Sequence, residues 1–104
     1  MKIKKVTVIG AGTMGNGIAH TFAQFNYDVN LVDINQEFIN KGLSNISKNI
    51  DRQIKKGIFT EDRKNEILLR IKTSTDLSSA KDSDIVIEAA TENPEVKFKI
   101  FRDN

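Results

Sequence analysis

A short apolar run that breaks into closely spaced glycines constrains this chain more than any other feature. Val6-Thr7-Val8-Ile9 leads directly into Gly10-Ala11-Gly12-Thr13-Met14-Gly15, a Gly-x-Gly-x-x-Gly pattern. A helical pattern follows, and then a second strand-like run, Val29-Asn30-Leu31-Val32-Asp33, ends in an acid. Each part has a mechanical reason. Gly10 permits the tight turn out of the strand, and Gly12 allows backbone to approach a pyrophosphate. Gly15 lets the new helix pack closely on the strand, so that its N-terminal N–H groups and dipole face the phosphates. Asp33 stands 18 residues beyond Gly15, near the roughly 20-residue spacing of an acid that bonds a ribose 2′-hydroxyl. A carboxylate there repels a 2′-phosphate, and no arginine follows in Ile34-Asn35-Gln36, so the pattern selects NAD over NADP.

With 104 residues, the chain is read as one domain, residues 1–104, and as an incomplete one. Its net charge of +2 does not call for a nucleic-acid partner. No cysteine is present, which excludes disulfides, thiolate catalysis and cysteine-ligated metal. No apolar run approaches membrane-spanning length, and strand pattern begins almost at the first residue, leaving no room for a targeting peptide. A cytoplasmic protein without membrane contact is the expectation.

Residues 3–9 read as a buried parallel strand. A first helix over 13–25 carries Met14, Ile18, Phe22 and Phe25 as its apolar face, with Asn26 as a left-handed cap. After the second strand, Phe38, Ile39, Leu43, Ile46, Ile50 and Ile54 mark a helix from about 36 to 56, closed by Gly57. Thr60 caps a further helix with an apolar side of Ile67, Leu68 and Ile71. Residues 71–74 form a weak third strand, Asp76 to Asp84 one loose turn, and Ile85-Val86-Ile87 a fourth parallel strand. Asn93 and Pro94 read as N-cap and first residue of a last helix bearing Val96, Ile100 and Phe101. The expected architecture is α/β: a Rossmann-type parallel sheet in strand order 3-2-1-4, with a helical pair between strands 2 and 3. It stops before a second half, without a fifth strand, leaving the outer edge of strand 4 open.

Chemistry is harder to place. His20 is the only histidine; on a helical wheel it lies opposite Met14, Ile18, Phe22 and Phe25, facing away from the core and beyond the phosphate loop. No nucleophile–base set and no metal-ligand cluster has useful spacing, so neither catalytic nor metal-binding residues are expected. Arg52, Lys55 and Lys56 gather at a helix end, where cations suit the dipole and can meet a phosphate.

The run Gly10 to Ala19, the long helical pair, Thr73-Ser74-Thr75-Asp76-Leu77 and Asp84 to Lys97 together resemble the NAD-dependent 3-hydroxyacyl-CoA dehydrogenases, the 3-hydroxybutyryl-CoA enzymes among them. The segment Glu92-Asn93-Pro94-Glu95-Val96-Lys97 is the specific part of that resemblance. It implies an oxidoreductase that interconverts (S)-3-hydroxyacyl-CoA and 3-oxoacyl-CoA, working as a homo-oligomer, with its catalytic histidine and an all-helical domain beyond residue 104. It places the NAD pyrophosphate on residues 10–15, the adenosine ribose on Asp33, and Glu92 and Lys97 near the nicotinamide. Lys56 matches a lysine near coenzyme A, and Asn49 stands where some members have a CoA-contacting serine. Two other readings are a Rossmann dehydrogenase of the 3-hydroxyisobutyrate type and a nucleotide-binding module without catalysis. The long insertion over 36–70 speaks against the first.

Overall fold

A computed structural model describes residues 3–89 and 97–100. Its sheet has five strands: β1 (Lys5–Ile9), β2 (Asp28–Val32), β3 (Ile71–Ser74), β4 (Ile85–Glu88) and β5 (Lys97–Ile100). The spatial order is β3-β2-β1-β4-β5. The first four strands run parallel, in the expected order 3-2-1-4. The helices are α1 (Thr13–Gln24), α2 (Gln36–Lys55) and α3 (Glu61–Leu69), and a 3-10 helix, Leu77–Asp82, makes the crossover from β3 to β4.

Local chemistry accounts for most of these boundaries. The Asn35 side chain accepts a hydrogen bond from Glu37 N at the start of α2, and Thr60 Oγ1 accepts one from Arg63 N at the start of α3. Asn26 ends α1 with φ 71°, and Gly57 follows α2 with φ 78°. Alternate residues of the parallel strands (Val6, Val8, Val29, Leu31, Ile71, Ile87) meet Ala19, Ala23, Ile39, Ile46, Ile50 and Ile67 in one buried core. Two polar strand residues, Thr7 and Asn30, are also buried. Partners from the β3–β4 crossover satisfy them: Thr7 Oγ1 bonds Ser83 Oγ, and Asn30 Nδ2 donates to Ser79 Oγ at 2.8 Å. At the opposite end of β1 from the glycines, Asp84 ties strands distant in sequence. Its carboxylate accepts from Lys4 N at 2.8 Å and Lys5 N at 3.1 Å, while its own N–H donates to Lys5 O at 2.9 Å.

Two expectations are corrected. Lys97–Ile100 is a strand, where the sequence pattern predicts a helix carrying Ile100. It pairs antiparallel with β4, Ile85 opposite Ile100 and Glu88 opposite Lys97, so a fifth strand exists and β4 is not an open edge. The alternation Lys97-Phe98-Lys99-Ile100 suits a strand, and an unpaired β4 leaves a row of backbone groups that such a segment satisfies. Asn93, Pro94, Val96 and Phe101, the other supports of the expected helix, lie outside the described residues.

The second correction concerns α1. Its buried face is Gly15, Asn16, Ala19, His20 and Ala23. His20 is only 8% exposed, whereas Met14 is 39% and Phe25 67% exposed. Size shifted the wheel: close packing of α1 on β1 demands small residues at its centre, so Ile18 and Phe22 pack only on the margin of the core while Met14 and Phe25 are turned to solvent. His20 therefore faces inward.

Candidate functional site

The glycine turn sits where β1 and β2 end. Gly10 has φ 103°, a conformation an L side chain rarely adopts. Its N–H donates to Val32 O at 2.7 Å, fastening the turn to β2. A Cβ on Gly15 would stand 1.6 Å from Gly10 O, which no side chain can survive. That clash is the physical content of the third glycine: α1 can begin this close to β1 only without a side chain at 15. Gly12 is the N-cap of α1 in extended conformation and offers no side-chain cap, and the first turn holds no acid. The first N–H groups of α1 thus have no internal anion to satisfy them, which is the arrangement a bound phosphate uses.

Asp33 completes the site. Its Oδ2 accepts from Ala11 N at 3.0 Å and its Oδ1 from Asn35 N at 2.9 Å. One carboxylate therefore joins the glycine turn to the start of α2. Each oxygen has two lone pairs and uses one of them on backbone, so capacity remains for a ribose hydroxyl. Asn16, buried to 4% exposure, donates from Nδ2 to Gly12 O at 2.9 Å, holding that carbonyl back toward the helix. The backbone fit, the uncapped helix start and the partly buried Asp33 with its spare lone pairs suit a dinucleotide, which when bound supplies hydride chemistry.

The structure brings the backbone of Gly10, Ala11, Gly12, Thr13 and Gly15 to the Asp33 carboxylate, with Met14 belonging to the turn by its backbone alone. Met14 projects from the far side of α1, beside Ile18 and Phe22. Asn49 is half-buried on α2, and Lys56 is the exposed C-cap of that helix. Lys56 is 14 positions past Gly42, where α2 touches the turn, so roughly 21 Å of helix separates them at 1.5 Å per residue. The two ends of α2 are thus distinct places. Lys97 is placed in β5 opposite Glu88, at the carboxyl end of the parallel strands where ligands of open α/β sheets bind. Glu92 lies outside the described residues.

Two contributors escape the sequence reading. Asn16 is one, since an amide on a helix gives no sign of bonding backward to a loop carbonyl. Gly42 is the other: a Cβ there would lie 2.9 Å from Ala11 O and 3.4 Å from Asn16 Cβ. A glycine inside a helical pattern costs about 1 kcal/mol relative to alanine, and that cost was the available signal of a close approach. Among the described residues no group of histidines and carboxylates could hold a metal ion, and no helix is long and apolar enough to cross a membrane.

Residues 5–104 match the family model described as 3-hydroxyacyl-CoA dehydrogenase, NAD binding domain. The chain belongs to that family. It is 46% identical over 101 residues to a 3-hydroxybutyryl-CoA dehydrogenase of Bradyrhizobium diazoefficiens, covering 97% of this chain and 34% of the relative. It is 38% identical to the peroxisomal fatty acid beta-oxidation multifunctional protein MFP2 of Arabidopsis thaliana, covering 98% of this chain and 14% of that protein. Among solved structures, (S)-3-hydroxybutyryl-CoA dehydrogenase from Ralstonia eutropha superimposes with a TM-score of 0.85 at 48% identity, covering 88% of this chain and 32% of that one. The chain therefore spans about a third of the length of these two 3-hydroxybutyryl-CoA dehydrogenases. Membership in the family sets aside the 3-hydroxyisobutyrate-type reading.

Proposed function

We propose that this chain is the cofactor-holding part of an enzyme that interconverts (S)-3-hydroxyacyl-CoA and 3-oxoacyl-CoA, with 3-hydroxybutyryl-CoA as the substrate. In this reading residues 1–104 form an incomplete NAD-binding domain of a protein that works as a homodimer. The observation that carries it is the Asp33 carboxylate, bonded to the glycine turn through one oxygen and to Asn35 N through the other, with a lone pair left on each. Residues Gly10 to Gly15 hold the pyrophosphate, Asp33 the adenosine ribose, and Glu92 and Lys97 the nicotinamide end. Lys56 and Asn49 meet coenzyme A along α2, Lys56 with a cation in the last-turn field of the helix and Asn49 with an amide able to donate or accept.

Titration with NADH and NADPH tests the cofactor assignment. NADH is expected to bind at least tenfold more tightly, because Asp33 accepts from ribose hydroxyls and repels a 2′-phosphate. Equal affinities, or tighter NADPH binding, remove Asp33 from its role. Binding of NADH with no effect of coenzyme A, or of Lys56→Ala on coenzyme A affinity, reduces the reading to a nucleotide-binding module.

A further inference from the structure

The glycine turn faces a second wall that the nucleotide-binding motif does not include. A cleft of about 230 Å³ opens between the turn and the first half of α2. Gly12, Thr13 and Asn16 line one side, and Lys41, Gly42 and Asn45 the other. Neither the turn nor α1 contains a lysine or arginine. A pyrophosphate on this turn would bring two negative charges beside the Asp33 carboxylate, with only N–H groups and the helix dipole to offset them. Lys41 is exposed, lines the same cleft as Gly12 and Thr13, and takes part in none of the ion pairs among the described residues.

We propose that Lys41 is a phosphate-binding residue for the dinucleotide pyrophosphate, and that Gly42 is the positioning residue that lets α2 bring it there. The proposal rests on the cofactor reading above and extends it to a residue outside the motif. Its geometric basis is the contact at Gly42. A Cβ would be 2.9 Å from a backbone carbonyl, Ala11 O, which cannot move aside as a flexible side chain would. Any side chain at 42 therefore pushes α2 off the turn or twists the Ala11–Gly12 peptide whose neighbouring N–H groups must face the phosphates. In either case Lys41 retreats and the cradle is misaligned. Asn45, one turn further along α2 on the same wall, offers an amide to the same oxygens.

The test compares ligands with and without phosphate on the full chain, by calorimetry and by NADH fluorescence. Lys41→Ala is expected to weaken ADP and NADH about five- to tenfold, to leave adenosine within twofold, and to flatten the salt dependence of ADP binding. Lys48→Ala, which removes the same charge from α2 outside the cleft, should leave all three unchanged. Gly42→Ala should show the same split between ADP and adenosine, with a thermal midpoint measured in parallel to report any general loosening. Unchanged ADP affinity in Lys41→Ala overturns the assignment. So does an equal loss for adenosine, or a loss seen with coenzyme A and absent with ADP. If the unaltered chain binds neither ADP nor NADH, the cofactor reading itself fails, a result separable from failure of Lys41.

Discussion

At the residue scale, His20 is the most exposed to test although it is among the least exposed to solvent. It sits on the buried face of α1, and its Nε2 has no hydrogen-bond partner. Burial disfavours the imidazolium and lowers its pKa below the ordinary value of 6.5. The unfolded chain therefore binds this proton more readily than the folded one. Stability from the neutral ring is complete above pH 6.5 and is lost as the pH falls through that value toward the lower folded one. Chemical denaturation between pH 7.5 and 5.5 should show the midpoint falling with acidification, and His20→Leu should remove most of that slope. A slope that survives the substitution would place the effect elsewhere. Gly15 and Gly42 make the complementary point about legibility. The motif announces the first, because its spacing is tied to a ligand; the second needs the position of a neighbouring helix, which the sequence of α2 does not contain.

At the element scale, the strand–turn–helix unit and the helical pair were legible, since caps such as Asn35 and Thr60 and the spacing of isoleucines along α2 are local signals. Orientation about a helix axis was not. Met14, Ile18 and Phe22 have the spacing of a core face, yet the centre of the core takes the small side of α1 and only Ile18 and Phe22 pack on its margin. The large residues instead border a groove of about 560 Å³ together with Thr13, Gly17, Thr21 and Ile87. Phe22 is braced there by Tyr27, edge to face at 5.4 Å between ring centres. An apolar groove on an otherwise native fold should take up a hydrophobic dye at neutral pH. Ile18→Ser is expected to cut dye fluorescence at least twofold while NADH affinity stays constant, because Ile18 lines the groove more than a turn beyond Thr13, the residue the groove shares with the phosphate cleft. A loss of both would mean that the packing of Ile18 on the core also holds the glycine turn in place. At 97–100 the Asn93-Pro94 start signal and the spacing of Val96, Ile100 and Phe101 argue for a helix, while the edge of β4, a neighbour that local sequence does not contain, decides for a strand.

At the scale of the whole molecule, the sheet is held together at β1, which pairs with β2 on one side and β4 on the other. The β2 side is reached by a short crossover, while the β4 side recruits a segment about 80 residues away. Asp84 is the staple there, gripping Lys4 and Lys5 through both its carboxylate and its amide. The consequence is kinetic. Closing so long a loop is entropically slow, and contacts of large sequence separation tend to form after local ones. The β1-α1-β2 unit, which carries the phosphate turn, can assemble from neighbours before β4 docks. Interactions absent from the transition state act on unfolding and leave folding almost untouched. Asp84→Asn should therefore raise the unfolding rate several-fold and change the refolding rate by less than twofold in stopped-flow experiments. An equal or larger effect on refolding would put the docking of β4 in the nucleus instead. If docking is late, the lifetime of the native sheet is set at the end of β1 farthest from the cofactor.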